Sequence, residues 1–227
     1  MSVAGRDGGV ALPGRLEAPR PTLVVQTGRD RLGALVALVA GGTYLKSSTT
    51  PGRRVVFELV EMSPELYGYE GSVVDAAFEI RYPGAYWRDT VESTTSATPL
   101  SGPSVALTAF TGITAPIPDA VIRVRGAATA IQVTDAAGSW FSYPSLAAGS
   151  YLRFHAATGR AFVTSSDTWS GGQDVSGVID FGGNRGSFEI TPQYTTDPLT
   201  RSGLLVVTTA SRSGAEIQVR GRGAYIE

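Results

Sequence analysis

The chain has 227 residues, 42% of them hydrophobic, with no cysteine, one histidine and a net charge of −1. That hydrophobic share is enough for a real core, and the length suits one large or two modest domains. The charge supplies no field that would draw in nucleic acid or an anionic membrane, and the lack of cysteine excludes a disulfide framework and thiolate metal sites.

The N-terminus, Met1-Ser-Val-Ala-Gly-Arg-Asp, has no hydrophobic stretch of the signal-peptide kind. Arg6 to Arg15 is polar and turn-rich, too rich in glycine to fold by itself. Thr22 to Thr27 reads as a strand ended by Gly28. Leu32, Leu35, Val36 and Val39 then fall at i, i+3, i+4 and i+7, which puts four apolar side chains on one helix face. Asp30 is the expected N-cap, and Gly41-Gly42 the expected stop. The apolar run from Leu32 to Ala40 is far short of the ~20 residues needed to span a bilayer. Arg53 to Val60 and Gly71 to Arg81 read as two further strands, so residues 1–91 form a small sheet with one helix docked on it.

Residues 92–118 are polar, β-branched and punctuated by Pro99, Pro103, Pro116 and Pro118. They read as an extended connector, with an edge strand over Val105 to Ala109. From residue 119 to 227 the pattern is strand after strand. Val121 to Arg125 alternates and Gly126 turns the chain. Ile131 to Thr134 alternates again before a turn at Ala137-Gly138. Trp140 to Tyr143, Ser150 to Phe154, Ala161 to Val163, Val175 to Ile179, Gly186 to Ile190, Leu204 to Thr209 and Glu216 to Tyr225 follow. Short period-2 runs at this spacing predict a β-sandwich.

Catalytic chemistry finds little footing. His155 is the sole histidine, sits at a strand end and has no nucleophile elbow to serve. Gly182-Gly-Asn-Arg-Gly186 is followed by a strand, not by the helix N-terminus a phosphate loop needs, and reads as a hairpin turn. One loop joins an aromatic ring with polar groups: Asp167, Trp169, Gln173 and Asp174. A sugar site on a sandwich uses such a set, and Asp167 with Asp174 also suits calcium. A surface loop with Trp169 tucked against the sandwich fits the same residues. The residues imply no cofactor, no required metal and no enzyme activity.

Three stretches carry a family resemblance: Arg6 to Glu17 with Pro21 to Val25 and the 31–40 helix; Phe78 to Asp89, with its Tyr82-Pro-Gly-Ala-Tyr-Trp-Arg88 element; and Ala120 to Gly126 through Gly138 to Tyr143, Leu146 to Ser150 and Val178 to Asp180. In this order they resemble the distal tail proteins of siphophages (Dit-like minor tail proteins of actinobacteriophage type). The resemblance implies a ring-forming first domain and a galectin-like second one. It implies a structural virion protein, assembled in the host cytoplasm. That protein forms a homo-oligomeric ring, hexameric in the family, at the phage tail tip. The ring would meet the tail tube protein, the tail tip or hub, and the tape measure protein, and would line the DNA exit channel without reading base sequence. Little sequence precedes Arg6, which implies a reduced N-terminal strand or arm. A stand-alone carbohydrate-binding β-sandwich module and a tail-associated hydrolase are the competing readings.

Overall fold

The computed structural model describes residues 20–67, 73–183, 187–194, 197 and 200–226. The 1–15 arm, residues 68–72 and the centre of the 182–186 turn lie outside that set. The chain is mainly β and divides into two units, Met1–Arg88 and Asp89–Ile226.

In the first unit, β1 (Thr22–Gly28) leads through a 3₁₀ turn (Arg29–Arg31) into α1 (Leu32–Gly41). β2 (Tyr44–Lys46), β3 (Arg53–Val56), β4 (Glu58–Tyr67) and β5 (Val73–Arg81) follow, and β6 (Trp87–Asp89) ends the unit. β5 is the middle of a three-stranded antiparallel sheet, with β1 on one side and β4 on the other. It alternates strictly, and Val74, Ala76, Phe78 and Ile80 are all at most 1% exposed. Leu32, Leu35, Val36 and Val39 pack on that face with Leu23, Val25 and Phe57, as their spacing requires. Asp30 is not the cap. It lies inside the 3₁₀ turn, and Arg31 holds the N-cap position without a side-chain hydrogen bond. The helix ends where the glycines predict, with Gly42 N donating to Val39 O at 3.2 Å.

The expected connector is part of the second unit. β7 (Ser93–Thr94) and β8 (Thr98–Pro99) pair with β17 (Ser211–Gly221), and β9 (Ser104–Thr111) pairs with β16 (Ser202–Thr208). Ile113, Ala115 and Ile117 are wholly buried. The β-branched residues that look like linker in the sequence pair at the sheet margins. The prolines fall at Pro99, at Pro103 before β9, and in the buried Ile113–Ile117 stretch and just after it, where missing N–H donors leave the ladders intact.

Val121 to Asp135 is one continuous strand, β10, and Gly126 bends it rather than reversing it. Its first half pairs with β12 (Tyr151–His155) on one side and β17 on the other. Its second half pairs with β11 (Trp140–Leu146) on one side, and on the other first with β17 over Ala127–Thr129 and then with β16 over Gln132–Asp135. All of these strands belong to one eleven-stranded sheet that folds over along β10; its first layer, the first sheet below, runs β14 (Gln173–Asp174), β13 (Arg160–Thr164), β12, β10, β17. The second runs β15 (Asp180–Gly182), β11, β10, β16, β9. β18 (Ala224–Tyr225) closes the chain. Ile122, Val124, Leu152, Phe154, Ile217 and Val219 face inward from the first sheet. Ile131, Val133, Phe141, Leu205 and Val207 face inward from the second, and none exceeds 1% exposure. Phe154 and Phe141 stack across the gap with centroids 3.9 Å apart, and Phe188 meets both edge-on. Residues 175–179 are not a strand but hold a 3₁₀ turn, Ser176–Val178, because Ser176 bonds back to Asp174 and Ala161.

The bend has a specific requirement. Gly126 has φ +85°, and a Cβ there would collide with the Gly214 carbonyl. Gly126→Ala should therefore destabilise the second unit by about 1–3 kcal/mol, read as a lower urea midpoint. An unchanged midpoint would mean the two strands do not approach so closely.

Candidate functional site

The outer face of the first sheet concentrates the polar chemistry of the second unit. Alternation dictates which residues it carries. β17 contributes Glu216, Gln218 and Arg220, and β10 contributes Val121, Arg123 and Arg125. β12 contributes Tyr151, Arg153 and His155, and β13 contributes Arg160, Phe162 and Thr164. Their odd-even partners fill the core, so the face follows from the same period that builds the sandwich. Arg123 and Arg153 are directly opposite each other at its centre.

Each of four arginines here holds a carboxylate. Arg125 donates from Nε to Glu216 Oε2 at 2.9 Å, and Arg220 donates from Nε to Glu92 Oε2 at 2.6 Å. Arg160 pairs with Asp174, and Arg123 Nη1 donates to Asp167 Oδ1 at 2.5 Å. Arg123 also donates to Gln218, and its guanidinium lies 4.3 Å from the Trp169 ring centroid and 5.3 Å from that of Tyr151. Arg153 is 1% exposed, and burial followed by the Arg123 charge pushes its pKa below the usual guanidinium value.

The four loop residues singled out in the sequence do not converge. Asp167 and Trp169 belong together, clamped over Arg123, with Arg220 5.6 Å from the same indole centroid. The indole is therefore engaged by cations rather than presented flat for a sugar ring. Gln173 is exposed on β14 opposite Val163. Asp174 is engaged elsewhere: its Oδ1 accepts from Ser176 N at 2.9 Å and from Ser176 Oγ at 2.6 Å, and its Oδ2 accepts from Arg160. Asp167 and Asp174 thus serve different arginines. His155 stands edge-on to Phe162 at 5.5 Å. Burial, then the Arg153 charge, lower its pKa. Among the described residues no side chain hydrogen-bonds its ring. Sequence reasoning missed Arg123 and Arg153. Their only signal is charge at alternate positions of two apolar strands.

A second concavity, of about 480 Å³, lies between the 89–98 segment and β9. Ser93, Thr94, Thr95, Thr98, Thr108 and Thr111 give it a hydroxyl-rich wall. Asp89 at its end accepts from Gly223 N and from the Tyr225 hydroxyl, both at 3.1 Å.

The Asp174 contacts have a pH signature. The two Ser176 bonds, then Arg160, pull its pKa from 3.8 down to about 2. The stabilisation they give is complete above the ordinary carboxylate pKa and is lost as pH falls through about 2. A carboxyl-carbon NMR titration should place its midpoint there, and both Ser176→Ala and Arg160→Ala should raise it. A midpoint at the ordinary value in the intact protein would show that the Ser176 bonds do not persist in solution.

No family model matches the sequence, and no curated protein matches it. Among solved structures, the chain aligns with the phage P2 baseplate in its activated conformation with Ca. The TM-score is 0.33 at 7% identity, covering 92% of this chain and 81% of that one. It is also similar to Dit (gp 19.1) of phage SPP1, described as a paradigm of the hub adsorption apparatus in phages that infect Gram-positive hosts. Here the TM-score is 0.56 at 15% identity, over 97% of this chain and 85% of that chain. The chain therefore shares the mainly β fold of SPP1 Dit along nearly its whole length.

Proposed function

We propose that this protein is a structural subunit of a siphophage tail tip, a distal tail protein whose first unit closes into a ring, hexameric by the family resemblance. The ring joins the tail tube to the hub and surrounds the channel through which DNA leaves. The sandwich carries tip components rather than a catalytic centre, and it has the galectin-like place in this scheme.

The observation that carries this reading is the open edge of β1, in a chain with the fold of SPP1 Dit. Among the described residues, Thr22–Gly28 pairs only with β5, so a seven-residue edge stands free, with Val24 61% exposed in its middle. The opposite edge, β4, carries Pro64 and is blunted. With β4 blunted, a neighbour can meet β1 either through its own β1, a two-fold contact, or through its exposed apolar surface, a head-to-tail contact that makes a ring when it closes. The helix points to the second. α1 reads Leu-Gly-Ala-Leu-Val-Ala-Leu-Val-Ala-Gly without one polar side chain, and Leu38 is 72% exposed. A helix apolar all round is normally covered on every side. Tyr44, Val56 and Val60 extend the exposed apolar surface of this unit.

Purified full-length protein should sediment as a closed oligomer and show rings by negative stain. Val24→Lys should weaken assembly at least about tenfold, since a charge in the middle of a paired edge opposes addition of a strand. Deletion of residues 1–15 tests whether the arm takes part. A protein that stays monomeric at all accessible concentrations, or a Val24→Lys protein that assembles like the parent, would overturn the ring reading.

A further inference from the structure

Arg153 stands apart from the other arginines of its sheet face. On that face Arg123, Arg125, Arg160 and Arg220 each hold a carboxylate of the chain, namely Asp167, Glu216, Asp174 and Glu92. Arg153 is the most buried of the five and holds none. Its Nε and Nη2 are both buried with no hydrogen-bond partner. Those two atoms form one edge of the guanidinium, with parallel N–H vectors, and that edge is the one that grips a carboxylate bidentately. Arg125, Arg220 and, in the first unit, Arg81 use the same Nε and Nη2 edge on Glu216, Glu92 and Glu58.

The surroundings deepen the deficit. Arg123 is directly across the ladder, and like charges in that position repel. Phe162 packs beside Arg153, with its centroid 5.9 Å from the guanidinium carbon, and supplies no acceptor. A buried cation with an empty donor edge costs stability unless something completes it. The strap of residues 165–172 comes against it at Gly172. Gly172 has φ +102°, and a Cβ there would come within 3.3 Å of Arg153 Nη2 and 2.7 Å of Val163 O. The strap is pinned at Arg123 through Asp167 and Trp169, away from Arg153 itself.

We propose that Arg153 is the floor of a carboxylate-binding site on the outer face of the sandwich, closed over by the 165–172 strap. The ligand is a carboxylate group held by the Nε and Nη2 edge. Arg123 adds a second positive charge, and Tyr151, Phe162 and His155 form the walls. The strap lifts to admit the ligand, because the donor edge is covered when it is down. This site is independent of the ring reading.

The test uses full-length protein, labelled with ¹⁵N, at constant ionic strength. Acetate is expected to shift the Arg153 Nε–H signal saturably, with a Kd of about 1 mM or tighter, and to raise Tm where chloride does not. Arg153→Lys keeps the charge but loses the fork, and is expected to abolish both effects. Trp169→Ala unpins the strap and is expected to speed binding while leaving the contact itself in place. D-glucuronate set beside acetate identifies the source of the group. Tighter binding of the sugar acid assigns an acidic saccharide, and equal binding assigns an acidic side chain or small acid. The proposal is overturned if acetate acts no differently from chloride on the parent protein, if D-glucose matches D-glucuronate, or if Arg153→Lys responds as the parent does. Should Arg153→Lys fail to fold, the acetate and chloride comparison on the parent decides alone.

Discussion

One strand carries the second unit. β10 belongs to both layers, and it bends at Gly126, where its register against β17 shifts and the backbone must approach Gly214 too closely for any side chain. Everything else is registered to it. The first half of β10 sets which residues of β12 and β17 face inward, and the second half does the same for β11 and β16. The Phe141–Phe154 stack is the consequence: the two rings sit on different sheets, and the bend brings those sheets face to face. A one-residue slip at the bend would exchange core and surface on half of the sandwich. Asp135 secures the far end of the same strand. It accepts from Ala137 N at 3.0 Å, Ser139 N at 2.7 Å and Thr191 Oγ1 at 2.6 Å, which fixes the turn into β11 and ties it to the 191 segment.

The same register fixes the charged outer face. With Ile122 and Val124 turned inward, Arg123 must point out, and the antiparallel pairing delivers Arg153 opposite it. Two cations directly opposite each other across the ladder are an unfavourable pair. The fold tolerates Arg123 because Asp167, Gln218 and the Trp169 face share its charge. Arg153 has no such set. The difference between the two neighbours is what makes the face more than a solvated surface. Four ion pairs there are ordinary, and exposed pairs of this kind add little stability. A buried guanidinium without a partner is not ordinary.

How much of this could be read from the residues depended on period. The helix stripe of Leu32, Leu35, Val36 and Val39 and the alternation of β5 were legible because one face of each is buried in a single layer. The run from Val121 to Asp135 was misread as two strands because glycine signals a turn far more often than a bend within a strand. The edge strand expected over Val105 to Ala109 is β9, but residues 93–99 read as connector because a short strand at a sheet margin pairs through its backbone, and Thr, Ser and Pro conceal that. Of the loop residues singled out in the sequence, Asp167 and Trp169 stand together over Arg123, while Asp174 serves Arg160. The pairing with Arg123 was not legible, since Arg123 is 44 residues away from Asp167 in the chain. Long-range pairing of that sort is set by strand order, and composition carries no record of it.

The two units present opposite problems to their surroundings. The sandwich covers most of its own core, since its two layers face each other, although Val91, Val178, Phe181, Tyr194 and Ile226 remain exposed on it. The first unit covers itself less well. Its three-stranded sheet has a single helix on the buried face. That helix has no polar face to offer water, and among the described residues one sheet edge is left open while the other carries a proline. An isolated domain with these features is prone to pair indiscriminately. Blunting β4 while leaving β1 open restricts the pairing to one edge. One edge alone allows a two-fold partner through β1 against β1, or a head-to-tail partner through β1 against the apolar surface around Leu38, Val56 and Val60. The two-fold arrangement would bury Val24 but leave the helix bare. The head-to-tail arrangement uses both surfaces once per subunit, and repetition leaves neither exposed when the ring closes. Economy of exposed apolar surface is therefore in keeping with the ring proposed above rather than with a dimer.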